Sequence, residues 1–393
     1  MNIKQFYCRV FPKIRYIWGI ASITVLLVIC IEMLSSLILA SVIPNKNVGY
    51  DARVNADTYK EQDKIWLKDY YKEFLRTHVL WKPYVYWRYA PFKGRYININ
   101  ENGLRKTWNN DKKPLDISPS KRIFVFGGST MWGTGARDDF TIPSFVSRIL
   151  NLEKGLNVEV LNFGQSGYVT TQEVITLFIL LQNGQVPDLV IFYDGVNDCF
   201  SAFQNREAGI PQNEFNRYAE FNSGNSILIS VKNLVLNSAT MRLPKGFINR
   251  LKRRSIVSEN RVFSDKDSSG AEQRLFEKVI ETYQINMRFI DQLAREFKFK
   301  TLFYWQPSVF SKDTKTEYEK VQELARFEVR DTFLRINRIA GKLTYPNFTD
   351  LSNMFQDYKE PLYIDEFHFG EKGNEIIARR MVQDIIKLRS SPN

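Results

Sequence analysis

From residue 121 onward short apolar runs alternate with longer amphipathic stretches, a rhythm that restricts the chain to strands joined by crossover helices. The apolar runs are Arg122–Phe126, Val158–Leu161, Leu189–Tyr193, Thr301–Trp305 and, more weakly, Asn347–Leu351. The amphipathic stretches are Ile142–Leu150, Thr171–Gln182, Gln273–Phe297, Glu317–Ala340 and Asn374–Leu388. Strands buried on both faces read as continuous apolar runs, as these do, so a parallel sheet of about five strands is expected over residues 121–393. Residues 200–270 break the rhythm with polar, Gly- and Ser-containing sequence. They read as an insertion after the third strand, and insertions of this length often act as lids.

The N-terminus obeys a different constraint. The run Ile17–Ile43 would reach about 40 Å as a helix, more than the roughly 30 Å of a hydrocarbon core. Glu32 interrupts it, at a cost of about 2.5–3.5 kcal/mol if left at mid-bilayer, so the span is expected to end near Glu32 or to tilt. Lys4, Arg9, Lys13 and Arg15 precede the run with no acidic residue among them. The positive-inside rule then keeps residues 1–16 cytoplasmic, makes 17–43 a transmembrane anchor and puts the rest outside. A cleaved signal peptide is the competing reading, but the run is long for one and Ile38 spoils an A-x-A-like site ending at Ala40.

Residues 44–120 form an aromatic-rich segment containing W-K-P-Y-V-Y-W-R-Y (Trp81–Tyr89) and R-Y-I-N-I-N-E-N-G-L-R (Arg95–Arg105). Tyr96–Asn100 alternates as a strand does, and Asn102-Gly103 reads as a turn. The segment is expected to pack as a small cap, the alternative being a sugar-stacking surface. At 44% hydrophobic and 25% charged the chain is not disordered. Of its three cysteines Cys8 and Cys30 fall before or inside the apolar run, which leaves Cys199 unpaired and excludes a disulfide framework. The formal net charge is +12, of which +9 lies beyond the span. Arg242, Lys245, Arg250, Lys252, Arg253, Arg254 and Arg261 concentrate part of it in the insertion, where a solvated loop or contact with anionic substrate or membrane are both open. No nucleic-acid module is present.

Four short motifs carry chemistry. F-G-G-S-T-M-W-G (Phe126–Gly133) places Ser129 on a turn leaving the first strand, N-F-G-Q-S-G-Y (Asn162–Tyr168) follows the second, D-G-V-N-D (Asp194–Asp198) follows the third, and D-E-F-H (Asp365–His368) precedes the last helix. Loops at the carboxyl ends of parallel strands share one edge, so Ser129, Gly167 and Asn197 are expected to converge. A serine needs a base to become nucleophilic. The chain has two histidines, His78 and His368, and Asp365 stands three residues before the second, placed to orient its ring towards Ser129. The backbone N–H groups of Ser129 and Gly167, with the Asn197 amide, would form an oxyanion hole. The glycine-rich turn lacks a P-loop lysine, and the chain is too poor in histidine and clustered carboxylates for metal catalysis, so neither cofactor nor metal is expected.

In this order the four motifs resemble those of the SGNH (GDSL-type) hydrolases, over residues 121–390. The resemblance implies a flavodoxin-like three-layer α/β/α sandwich behind the anchor helix. It implies Ser129 as nucleophile, Asp365 and His368 as its acid and base, and Ser129, Gly167 and Asn197 as oxyanion donors. Gly128 departs from the aspartate of G-D-S, at a position outside that set. The function implied is ester hydrolysis through an acyl-enzyme outside the cytoplasmic membrane, with an acylated (acetylated) envelope or exported glycan as substrate by analogy with anchored members. An O-acyltransferase using the same site with a sugar hydroxyl as acceptor is the first alternative. A non-catalytic glycan-binding or assembly protein is the second, and the intact set of motifs argues against it.

Overall fold

The structure, a computed structural model, describes residues 3–42, 51–109, 121–214, 216–217 and 268–390. The basic stretch Arg242–Arg261 and most of the expected insertion lie outside them. The chain divides into two compact units, Met1–Val48 with Asn216–Asp265, and Gly49–Phe215 with Lys266–Asn393. In the first, a single helix runs from Ile3 to Val42 and passes through Glu32 without a break. Its stretch Lys13–Ile38, with mean hydropathy 2.3, is long and apolar enough to cross a membrane.

The second unit holds both the aromatic-rich segment and the α/β part. The segment contributes a helix, Lys64–Phe74, an antiparallel hairpin of β1 (Val79–Lys82) and β2 (Tyr86–Tyr89), and a short antiparallel pair of β3 (Phe92–Lys93) and β4 (Asn98–Ile99). The alternating run Tyr96–Asn100 thus pairs only over Asn98–Ile99, and the turn at Asn102-Gly103 forms with Gly103 at φ 73°. Most of the aromatic rings pack: Tyr59, Tyr70, Tyr71 and Tyr89 are buried with Leu67, Ile97 and Ile99 in a small core that also takes in Trp132 and Ile364 from the α/β part. Trp81 and Tyr84 on the hairpin remain exposed.

Five parallel strands make the central sheet: β5 (Lys121–Gly127), β6 (Val158–Asn162), β7 (Leu189–Asp194), β8 (Lys300–Trp305) and β9 (Phe348–Asp350), side by side in the order β6-β5-β7-β8-β9. The first crossover steps to one edge and the later ones step the other way, so right-handed connections place helices on both faces. Ile142–Arg148 accordingly packs with the last helix, Glu371–Ser390. The long helix Ser268–Phe297 packs with Thr170–Gln182, Val196–Asn205 and Phe327–Ala340. Inside the sheet Phe163, Phe126, Phe192 and Phe303 form a ladder with successive ring centroids 5.2, 4.8 and 5.9 Å apart. Each such ring, fully buried, contributes about 1.5–3 kcal/mol.

Two expected boundaries differ. Glu317–Ala340 is two helices, Glu317–Ala325 and Phe327–Ala340, separated at Arg326, whose φ of −130° leaves the helical region. The segment expected to begin an insertion at residue 200 instead continues the helix Val196–Asn205.

Candidate active site

The carboxyl ends of β5 and β7 set the site. β5 ends at Gly127, and Ser129 opens the short helix Ser129–Trp132 rather than sitting on an open turn. The second motif is stitched to the same strand end: Phe163 N–H donates to Val125 O at 2.9 Å and Gln165 N–H to Gly127 O at 3.0 Å. Gly167 has φ 78°, a conformation that favours glycine. After β7, Gly195 caps the helix Val196–Asn205 at φ 117°, with the Trp305 ring where a Cβ would stand. Asn197 is therefore the second residue inside that helix and does not cap it, which leaves its side chain for other contacts. Asp198 of the same motif accepts from Thr170 N–H at 3.1 Å and Thr170 Oγ1 at 2.9 Å, joining the third motif to the helix after the second.

Asp365 and His368 stand on a tight turn closed by the bridge Tyr363–Phe369 and by Ile364 N–H donating to His368 O at 2.9 Å. Asp365 accepts from the backbone N–H groups of Phe367 (3.0 Å) and His368 (2.8 Å), and its two oxygens lie 2.8 and 2.7 Å from His368 Nδ1. The other ring nitrogen, Nε2, lies 2.6 Å from Ser129 Oγ. With Nδ1–H donating to the carboxylate, Nε2 is left as acceptor for the serine proton. Ser129, Asn197, Asp365 and His368 line one cavity of about 260 Å³, together with Thr130, Phe200 and Gln306. Gly167 is not among its lining residues and stands to one side, near Trp87 and Gln212.

Four further residues adjoin the site: Arg53, Arg326, Glu366 and Gly128. Arg53, from the aromatic-rich segment, lies 3.3 Å from Asp365 Oδ2, held by Asp51 at 2.8 Å and stacked 5.0 Å from the Tyr71 ring centroid. Burial alone would raise the Asp365 carboxyl, but the His368 imidazole and the Arg53 guanidinium outweigh it and hold the group well below the usual carboxylate range. Arg326 and Glu366, 3.4 Å apart, form a charged rim on the cavity, and burial pushes the Glu366 carboxyl up. Gly128 borders the site directly: a Cβ there would stand 2.1 Å from Asn197 Nδ2. No spacing rule ties Arg53 to a motif more than 300 residues away.

Among the described residues no cluster of His, Cys, Asp and Glu is arranged to hold a metal. Cys199 is buried and unpaired, and burial pushes its thiol up.

No family model matches the chain, and no curated protein does. Among solved structures it is similar to an acetyl xylan esterase (14% identity, 67% of this chain and 99% of that one, TM-score 0.34). It is similar also to an acetylxylan esterase from Geobacillus stearothermophilus (15%, 68% and 95%, TM-score 0.35). A lipase from a goat rumen metagenome matches at 14% identity over 67% of this chain and 97% of that one, with TM-score 0.39.

Proposed function

We propose that the chain is a serine esterase of the SGNH (GDSL) type with a flavodoxin-like three-layer fold, anchored by its N-terminal helix with residues 45–393 outside the cytoplasmic membrane. The observation that carries it is the relay from Asp365 to His368 Nδ1 (2.7 Å) and from Nε2 to Ser129 Oγ (2.6 Å), opening on a cavity that Asn197 also lines. Ser129 Oγ attacks the ester carbonyl carbon as His368 Nε2 takes its proton, and the carbonyl electron pair moves onto oxygen. Asp365 stabilises the imidazolium. Asn197 Nδ2 and the backbone N–H groups of Ser129 and Gly167 receive the oxyanion. Collapse expels the alcohol, which takes the proton from Nε2 and leaves the acyl-enzyme. Water then attacks the acyl carbon, gives its proton to Nε2 and releases the acid as Ser129 is reprotonated. A cavity of about 260 Å³ suits a short acyl group such as acetyl. An anchored enzyme outside the membrane meets such esters on envelope or exported glycans.

The test is covalent labelling of the full-length protein by a fluorophosphonate, alongside turnover of p-nitrophenyl acetate. Ser129→Ala is expected to abolish both while leaving the melting temperature within a few degrees, and His368→Ala to remove most of the turnover, since triad members act as a unit. Near-native turnover by His368→Ala would overturn the assignment. Mass spectrometry after incubation with an acetylated oligosaccharide and an unacetylated acceptor separates released acetate from transfer. A reporter active only outside the membrane, fused after Asn393, tests the topology.

A further inference from the structure

We infer that Gln212 is a positioning residue for the oxyanion hole, turning the Asn197 carboxamide so that its N–H₂ end faces the reacting centre. The inference rests on the esterase reading above. Asn197 Oδ1 accepts from Gln212 Nε2 at 3.4 Å. The other end of the same amide, Nδ2, lies against Gly128, beside Ser129, and donates to no protein group among the described residues. An asparagine amide has two orientations related by a half-turn about its last torsion. Only the one with Nδ2 inward stabilises an oxyanion; the reverse sets Oδ1 against developing negative charge. Gln212 presents its Nε2 end on the outer side, with Oε1 turned towards Gly167, and a donor held that way selects between them.

Gln212 is also next to the second backbone donor. Its Oε1 and Cδ lie 3.5 and 3.7 Å from where a Cβ on Gly167 would stand, so one side chain adjoins both Asn197 and Gly167. The loop that carries it is fixed on the helix bearing Asn197. Asn205 Nδ2 donates to Pro211 O at 3.1 Å, Gln204 Nε2 to Asn213 Oδ1 at 2.6 Å, and Asn213 N–H to Gln204 Oε1 at 2.9 Å. Ser201 Oγ donates to Ile210 O, and Tyr86 from the hairpin donates to Glu214 at 3.0 Å. These ties fix the backbone on both sides of Gln212, the support that a positioning role requires.

The experiment compares Gln212→Ala and Gln212→Glu in the full-length protein, with p-nitrophenyl acetate as substrate and Ser129→Ala as baseline. Gln212→Ala is expected to lower kcat about tenfold, a fraction of the roughly 10²–10³ that loss of the donor itself costs, with KM within twofold and the melting temperature kept. Gln212→Glu is expected to be at least as damaging although it is isosteric, because a carboxylate accepts from Nδ2 and draws the amide the wrong way round. In an Asn197→Ala background Gln212→Ala should have no further effect on kcat. An active wild type with Gln212→Glu at native kcat, or losses that track only the folded fraction, would overturn the inference alone. A wild type as inert as Ser129→Ala would overturn the esterase reading and this inference with it.

Discussion

Gly128 and Arg53 act on the two halves of the site from opposite sides. The Cβ of Gly128→Ala would overlap Asn197 Nδ2 at 2.1 Å, and the side chain that gives way is the donor itself. The variant is therefore expected to lower kcat, by no more than the roughly 10²–10³ that loss of the donor itself costs, with KM within a few-fold and little change in melting temperature. Steady-state kinetics beside thermal denaturation check this; early melting with native turnover would reassign both residues to architecture. Arg53 bears on the acid of the triad. Its positive charge, 3.3 Å from Asp365, helps to hold that carboxyl ionised. In Arg53→Met the Asp365 carboxyl loses that support, and with it part of the stability an ionised, paired carboxylate contributes above the usual carboxylate range. Urea denaturation is expected to show a deficit against the wild type that is largest near neutral pH and shrinks in strong acid. A deficit that stays constant with pH would reduce Arg53 to a packing residue.

At the scale of elements, what was legible in the sequence follows from what was buried uniformly. The runs Arg122–Phe126, Leu189–Tyr193 and Thr301–Trp305 are apolar because both faces of β5, β7 and β8 are covered, so the strands could be placed to within a residue or two. The four motifs were legible because three follow strands of the sheet and the fourth precedes the last helix. Charged residues buried one at a time were not. Glu319 looks like part of a solvated helical face, yet it is fully buried and ion-paired to buried Lys312 at 2.6 Å. Lys312 also donates to Glu360 O at 2.7 Å, and Glu319 accepts from the N–H groups of Leu362 (3.0 Å) and Tyr363 (3.2 Å). The pair thus pins the segment leading into Asp365–His368. Lys312→Met leaves the Glu319 charge buried without its partner and is expected to cost about 3–5 kcal/mol in urea denaturation. Adding Glu319→Gln should recover much of that, because the amide oxygen still accepts from Leu362 and Tyr363. A Lys312→Met variant of native stability would show that the pair contributes no net stabilisation.

For the whole molecule, the dependence of stability on pH follows from three buried carboxyls, two of them in the third motif and one on the helix Thr170–Gln182. Glu173, Asp194 and Asp198 are each buried. Burial, then the negative charges of Asp194 and Asp198, push the Glu173 carboxyl well above its usual range; burial, then Asp198, do the same to Asp194. Asp198 is pushed up by burial too, although the Thr170 hydrogen bonds oppose it. The Glu173–Asp194 pair therefore keeps a proton in the folded chain at pH values where the unfolded chain has released it. More protons bound in the folded state means that unfolding becomes easier as pH rises. The contribution is fully present below about pH 4 and declines upward by about 1.4 kcal/mol per pH unit for each retained proton, until the folded pair itself ionises. Asp365 runs the other way: held low by His368 and Arg53, it stabilises the fold at neutral pH, and that is lost only in strong acid. The two leave a descending limb on the alkaline side that belongs to the buried trio. Glu173→Gln keeps the shape and a donor towards Asp194 but has no proton to lose. Its melting temperature is expected to exceed that of the wild type at pH 8, with the gap closing towards pH 5. Thermal denaturation at half-unit steps between those limits measures it, and a gap that stays constant with pH would show that the trio does not hold the extra proton.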